Sequence, residues 1–308
     1  MSGATIRPAR VEDQPGLTAL WATAFTPALA PDQWLVDEQR LAHTFVAEDD
    51  DGVCGSIYGL PKRLRESDGG VAEVHAIGSV AVAERARGKG LARRLVAATL
   101  ETAREADWAL LFTGTPDVYR SSGFASFSMP RTLRGPWTAP AFAAVAGRVE
   151  RETVGLGSLG ALGEVYERSR ADRVVLAPVR DDRDWTMAEV RMRGARLYRW
   201  VEGSAVRGYA IADTDGGLGR LLECAVLPES DGSAAVYREL YSAVAADWAA
   251  AAVGACELAV PALPEEERVI HDVAPHAVRQ EDRTGMVRPL RREARLHGIR
   301  HFTAGDYF

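Results

Sequence analysis

The stretch Val80-Ala-Val-Ala-Glu-Arg85-Ala-Arg-Gly88-Lys-Gly90-Leu-Ala-Arg-Arg-Leu95 brings together what anion binding requires. An apolar strand runs into a loop holding Gly88 and Gly90. A helix leaves it with Leu91, Leu95, Val96 and Leu100 on one face and Arg93, Arg94 and Glu101 outside. A helix start presents unpaired backbone N–H groups and the positive end of the macrodipole. Glycines there let backbone approach a bound anion closely, and a pyrophosphate suits both features. Arg85, Arg87 and Lys89 add positive charge beside the loop. Other phosphate loops fail on spacing. A dinucleotide fingerprint needs a glycine where Arg93 stands, and a P-loop needs Ser or Thr after Lys89, where Gly90 stands. A kinase glycine loop lies between two strands, whereas this one opens a helix. The plain alternative is that the two glycines only shape a strand-to-helix turn.

The surrounding elements must position this loop. Ala4 to Arg10 reads as a strand, followed by a helix through Leu17, Leu20, Trp21 and Phe25. Thr44 to Glu48 and Cys54 to Gly59 read as paired strands about Asp49 to Gly52. His75 to Ala83 is a nearly unbroken apolar run, as expected of a strand covered on both faces. The helix from Leu91 is expected to reach Ala106, and a short strand follows at Ala109 to Phe112. The order returns from Leu197. A hairpin of Leu197 to Val201 and Arg207 to Ala212 about Gly203 precedes a strand at Leu221 to Leu227, a helix at Ala234 to Ala251 and a strand at Glu257 to Val260. Strand, strand, strand, helix, strand therefore occurs twice, an internal duplication. The cluster from Pro136 to Pro140 marks a boundary, giving expected domains of 1–138 and 139–308.

Composition narrows the function classes. The 308 residues are 47% hydrophobic and 26% charged, as in a globular chain able to build two cores. A net charge of −6 argues against a nucleic-acid binder with a basic face and would suit a cationic amine weakly. Cys54, Cys224 and Cys256 are too far apart for a disulfide frame or zinc spacing, and no metal is expected. The N-terminus carries charges in place of a signal peptide, and the Ala-rich stretch Tyr241 to Val260 is too interrupted to span a bilayer. The expectation is a cytoplasmic protein.

Arg85-x-x-Gly88-x-Gly90 resembles the pyrophosphate motif of the GNAT acetyltransferase superfamily. Tyr119-Arg-Ser-Ser-Gly123-Phe124 is similar to its Tyr-x-x-x-Gly-Phe segment, and Ile6-Arg7-Pro8-Ala9 with Glu12-Asp13 to its first strand and helix. A GNAT domain followed by a degenerate second one resembles the enhanced intracellular survival acetyltransferases, over about residues 1 to 265. The implied fold is α/β, two GNAT-like domains with mixed, largely antiparallel sheets flanked by helices. The implied cofactor is acetyl-CoA. The resemblance implies that the backbone of Val80, Ala81 and Val82 pairs with the pantetheine arm, and that Gly88, Lys89, Gly90, Leu91, Ala92 and Arg93 wrap the pyrophosphate. It also implies that Gly114 and Thr115 border the cofactor and that Tyr119 is the general acid for the departing thiolate. It further implies a C-terminal carboxylate as general base, here that of Phe308 in the aromatic-rich end Phe302-Thr-Ala-Gly-Asp306-Tyr307-Phe308. The loop Pro228-Glu-Ser-Asp-Gly232-Ser lacks basic residues, so one cofactor site per chain is expected.

Backbone N–H groups around Ser79 to Val82 would face the thioester oxygen as it gains charge. The structural alternative for Tyr119 is a core aromatic with a satisfied hydroxyl. Glu73 and His75 alternate on one strand and are further base candidates. His297 and His301 stand four apart, but Gly298 breaks the helix that a ligand pair needs, and His271 and His276 lack a third ligand. The Glu48 to Asp51 run reads as a solvated turn, and Trp21, Trp34 and Phe25 as core or acceptor-cleft residues. The expected reaction is acetyl transfer to a primary amine, on a small molecule or a protein lysine, with no nucleic-acid or membrane partner. A non-catalytic acyl-CoA sensor and a protein-interaction scaffold stand as alternatives. The resembling family often forms hexamers, and a homo-oligomer stays open.

Overall fold

A computed structural model of the chain describes residues 4–25, 40–139, 148–228 and 232–307. In chain order the first half holds β1 (Thr5–Pro8), α1 (Gln14–Ala24), β2 (Thr44–Asp49), β3 (Gly52–Arg65), β4 (Val71–Val82), α2 (Leu91–Glu101), β5 (Trp108–Phe112), α3 (Asp117–Arg120), β6 (Ala125–Ser126) and β7 (Met129–Gly135). The second half holds β8 (Arg148–Thr153), α4 (Gly163–Arg170), α5 (Asp182–Arg191), β9 (Arg196–Glu202), β10 (Ala205–Asp215), β11 (Leu218–Val226), α6 (Ser233–Ala250), β12 (Ala255–Leu258), α7 (Pro264–Val273), β13 (Val278–Asp282) and β14 (Gly285–Pro289). Helix α2 stops at Glu101, short of Ala106. There the Thr102 hydroxyl donates to the Thr99 carbonyl and the chain turns toward β5. No helix among the described residues is long and apolar enough to cross a membrane.

Two seven-stranded sheets result, ordered β1-β2-β3-β4-β5-β14-β6 and β13-β7-β12-β11-β10-β9-β8. The repeated order is seen in both. Antiparallel hairpins (β2 with β3, β9 with β10) lead to a strand that runs parallel to the one after the helix (β4 with β5, β11 with β12). The hairpins turn at Gly52 and Gly203, whose φ angles of 98° and 63° favour glycine. In the first sheet α1 covers one face through Leu17, Leu20 and Trp21 on Val46 and Ala81. Helix α2 covers the other through Leu91, Leu95 and Val96 on Ile57, Ile77 and Leu111. Each such large side chain taken wholly from water contributes about 1.5–3 kcal/mol.

Sheet membership does not follow the expected boundary at residue 138. β7 leaves the first half to lie between β12 and β13 of the second sheet. In return β14 pairs with β5 from Gly285↔Phe112 to Pro289↔Trp108 in the first. This exchange is invisible in local patterning, because strand partners are chosen by tertiary packing rather than by chain neighbours. A shared core seals the two halves, with Leu64, Val74, Trp108 and Leu110 against Val175, Leu176 and Phe302. The Trp108 indole N–H donates to Glu66 Oε1 at 3.0 Å, so the buried ring leaves no orphan donor.

Candidate functional site

β4 and β5 run parallel for four rungs, Val74↔Trp108 to Ile77↔Leu111, and then part. β4 continues to Val82 on β3, while the Thr113 N–H turns away to the Thr284 carbonyl at 2.8 Å. A wedge opens between them. At its lip the β3–β4 register slips between Ser56↔Ala81 and Tyr58↔Gly78, and Ser79 takes φ 50°. Such a bulge re-aims peptide groups out of the ladder, and a left-handed non-glycine residue costs roughly 1–2 kcal/mol. Hydrogen bonds hold it there. Ser79 Oγ accepts from Arg40 Nη2 at 2.6 Å, and the Ser79 carbonyl accepts from Ser56 Oγ at 3.1 Å. Ser56 Oγ in turn accepts from Trp21 Nε1 at 2.9 Å, so Trp21 is a buried core ring that also braces the bulge. Phe25 is half-buried beside it.

Below the wedge lies the glycine loop. Gly88 and Gly90 have φ of 74° and 71°, and a side chain added at Gly88 would point into open space. Gly90 caps α2 without any side-chain cap, so the first N–H groups, at Leu91, Ala92 and Arg93, begin a helix with a bare positive end. Arg87, Gly88, Lys89 and Gly90 are exposed. Arg85 is exposed but paired. It donates to Asp49 Oδ1 at 2.9 Å and pairs with Asp51, so the acidic turn before β3 anchors the loop rather than serving only as a solvated corner. Arg87 Nε and Lys89 Nζ donate to the Val82 and Arg85 carbonyls, which holds the loop in a tight curve. Val80 and Val82 are half-buried and Ala81 is buried on the α1 side.

Tyr119 projects from α3 into the apolar cluster of Ile77, Leu111 and Met286, against which Val80 and Val82 also pack. Its ring meets Phe124 edge-on at 6.3 Å. Burial pushes the phenol up to about 12, with a hydrogen bond to Thr113 acting the other way, so it carries its proton at any physiological pH. Thr113 Oγ1 also receives the Thr115 N–H at 3.0 Å, which fixes Thr113, Gly114 and Thr115 beside the wedge. Sequence reading missed Thr113, Ser56 and Arg40, since nothing in their spacing marks them.

The second sheet repeats the wedge and fills it. β11 and β12 share four rungs, Leu218↔Ala255 to Leu221↔Leu258, and a bulge follows at Leu222. Past that point the Cys224 carbonyl accepts from Arg170 Nη2 at 2.7 Å, and the Ala259 carbonyl lies 3.2 Å from His301 Nε2. Arg170, Cys224 and His301 are buried. Both lips are therefore occupied by the chain's own side chains. Of the acidic loop expected to repel a pyrophosphate there, Glu229, Ser230 and Asp231 lie outside the described residues.

Glu73 and His75 do share a face, the one under α2 on which Ile77 meets Tyr119, but they lie farther along it. They line a separate cavity of about 510 Å³ with His43, Gly59 and Thr102, at the far end of α2. His75 is four residues before Ser79, roughly 13 Å along the strand. Its Nε2 lies 2.9 Å from Thr99 Oγ1, and Glu73 is exposed beside Arg63. His75 is a structural histidine. Burial, then His43, hold its pKa down to about 4, and burial followed by Arg170 does the same to His301. Between pH 6.5 and 4 the unfolded chain takes up these protons and the native chain does not. Stability should therefore fall as pH drops through that window, by of order 3 kcal/mol per histidine. Glu266, raised by burial to about 7, works in the opposite sense between pH 7 and 4.5. Thermal melts of His75→Asn and His301→Asn should show a shallower decline from pH 6.5 to 4 than the parent; equal slopes would contradict the assignment.

His271, His276 and His297 are exposed and apart, and no metal-competent cluster occurs among the described residues. The three cysteines are free and buried. Trp34 and Phe308 lie outside the described residues. The tail before Phe308 is docked. Phe302 and Tyr307 pack on Phe112, the last residue of β5, with ring centroids 5.2 and 5.0 Å away.

Comparison with known proteins agrees with this geometry. Residues 5–127 match the family described as Acetyltransferase (GNAT) domain. A GCN5-related N-acetyltransferase from Anabaena variabilis superposes with a TM-score of 0.73 at 16% identity, over 93% of this chain and 73% of that one. One from Kribbella flavida gives 0.70 at 18%, over 94% and 71%. Eis1 from Mycobacterium abscessus gives 0.66 at 16%, over 93% and 73%. At these identities the likeness is one of fold, and it spans both sheets. No curated protein matches the chain.

Proposed function

We propose that this chain, whose residues 5–127 match the GNAT acetyltransferase domain family, is an acyltransferase that moves an acetyl group from acetyl-CoA to a primary amine. The observation that carries the reading is the open wedge between β4 and β5 while its counterpart in the second sheet is filled. The site's own features fit a coenzyme A thioester, with free space over Gly88, an uncapped helix at Gly90 and a slot between strands. The coenzyme would supply an activated acyl carbonyl. The chain would bind its diphosphate at the N–H groups from Gly88 to Arg93 and its pantetheine along Val80, Ala81 and Val82, bordered by Gly114 and Thr115.

The residues then divide the work. The bulge at Ser79 aims backbone N–H groups into the wedge, where they stabilise negative charge developing on the carbonyl oxygen. Tyr119, kept protonated by burial, donates to the leaving sulfur. The Phe308 carboxylate takes the proton from the attacking amine; the reading is supported by Tyr307, the residue before it, which packs on Phe112 at the end of β5. One cofactor is bound per chain, because Arg170 and His301 hold the other wedge. A coenzyme A thioester is a metabolite of the cell interior, and three free cysteines accord with a cytoplasmic placing.

The direct test is mass detection of acetylated product, with thiol release, across polyamines, aminoglycosides, amino acids and lysine peptides. Acetyl-CoA binding without turnover on any amine would make the protein a sensor instead. Removing Phe308 should lower turnover by about 100-fold or more at unchanged acetyl-CoA affinity if its carboxylate is the base. Unaltered turnover would reject that role and leave the rest of the reading standing.

A further inference from the structure

The most fully buried ionic cluster among the described residues lies outside the wedge, and it holds the chain's end. Glu223 stands two residues beyond the last β11–β12 rung, as Ser79 stands two beyond the last β4–β5 rung, and it pairs with Ile211 directly beside the bulge at Leu222 of the filled wedge. Its carboxylate accepts from Arg180 Nη1 and Nη2 at 3.1 and 2.5 Å and from Tyr209 OH at 2.5 Å. Arg180 also reaches Asp306 Oδ1 through Nε and Nη2 at 3.0 and 2.7 Å. The side chains of Arg180 and Glu223 are 0% exposed and that of Asp306 is 1% exposed. The guanidinium lies against the edge-on pair of Tyr166 and Trp185, 4.0 and 4.6 Å from their ring centroids. Thr303 closes the turn, its N–H donating to Asp306 Oδ2 at 2.9 Å and its Oγ1 lying 2.7 Å from Glu223 Oε2.

An arginine shared between two carboxylates in this way fixes orientation as well as position, because the planar fork admits few geometries. Asp306 is two residues from the end of the chain. The turn it anchors carries Phe302 and Tyr307 onto Phe112, at the mouth of the open wedge. Gly305 is pressed so close to α5 that an added Cβ would lie 3.0 Å from Ala188 Cβ and from Met192 Cε. Its carbonyl also accepts from Arg191 Nη1 at 3.2 Å. The tail therefore has one seat.

We propose that the filled wedge of the second domain now serves the first domain's site: Glu223, beside its bulge, orients Arg180, Arg180 clamps Asp306, and the clamp holds residues 302–307 as a wall of the acceptor side of the open wedge. Glu223, Arg180 and Asp306 are positioning residues on this view. The inference rests on the reading of the first wedge as the acetyl-transfer site. It goes further in giving the second domain a role in turnover, without its touching substrate or coenzyme.

The test uses Asp306→Asn and Glu223→Gln in the full chain. Misplacing a site wall by about 1 Å costs on the order of 100-fold in turnover. Asp306→Asn should therefore lower kcat by about 100-fold while acetyl-CoA affinity stays within about twofold. Glu223→Gln, though it lies in the other sheet, should give the same kcat loss. The double variant should be no worse than either, because the groups act as one chain of contacts. Carboxypeptidase should trim the Asp306→Asn tail faster than the parent tail. A folded Asp306→Asn protein with parental kcat and parental trimming would overturn the proposal, as would losses that multiply in the double variant. If Glu223→Gln does not fold, Asp306→Asn decides alone. If the parent protein turns over no amine, the acetyl-transfer reading fails, while the trimming comparison still judges the clamp.

Discussion

Tyr119→Phe should leave a folded protein that binds acetyl-CoA normally and turns over about 10²- to 10⁴-fold more slowly, the range for losing a positioned general acid. The substitution removes only a hydroxyl. The ring keeps its place among Ile77, Leu111 and Met286 and its edge-on contact with Phe124, so packing and the wedge are preserved. The proposed acid role rests on two features of the site. Tyr119 shares its cluster with the half-buried Val80 and Val82 at the wedge, and burial raises its pKa to about 12. The sign matters. A phenol pushed upward is protonated throughout the working range, so no alkaline fall in kcat below about pH 10 should trace to it. Steady-state kinetics, calorimetry with acetyl-CoA and a thermal melt together decide the case. Parental turnover in the folded variant would return Tyr119 to being a buried ring.

The double substitution Gly88→Glu, Gly90→Glu should weaken acetyl-CoA binding by about 100-fold or more. Each new carboxylate stands at the positive end of α2, where a bound diphosphate would draw on the same dipole. A charge there is worth up to about 2 kcal/mol, and 1.4 kcal/mol is tenfold. Both positions have positive φ, 74° and 71°, so some stability is lost as well. Calorimetry on the folded variant separates the two effects. The pair Gly88→Ala, Gly90→Ala carries the backbone strain without the charge, and should lose stability with a much smaller change in affinity. Affinity for acetyl-CoA unaffected by the glutamates would place the coenzyme elsewhere and remove the basis of the functional reading.

Much of the glycine loop's shape could be read along the chain, because its physics is local. An apolar strand, two glycines and an amphipathic helix in succession already specify an uncapped helix start. That is how Gly88 and Gly90 are seen at the head of α2. The duplication was equally legible, since hydrophobic periodicity repeats in both halves. Glu73 and His75 show where such reasoning stops. Alternation placed them correctly on one face, and nothing local says that their stretch of it opens past the C-terminal end of α2, away from the wedge.

What no stretch of sequence contained is the partnership between distant groups. Ser79 looks ordinary in an apolar strand, and its left-handed φ arises from a register slip against β3 and the support of Arg40 and Ser56. The exchange of β7 and β14 between the sheets joins residues more than 120 positions apart, as Gly135 with Cys256 and Phe112 with Gly285. Arg170, the last residue of α4, is unmarked in the sequence, yet it is buried, donates to the Cys224 carbonyl and closes the second wedge. Local chemistry is encoded by near neighbours, through backbone conformation and periodicity. Which wedge stays open, and where the chain's end is held, depend instead on buried charges. These are tolerable only once the whole fold has supplied each with its opposite, as Arg180 is supplied with Glu223 and Asp306.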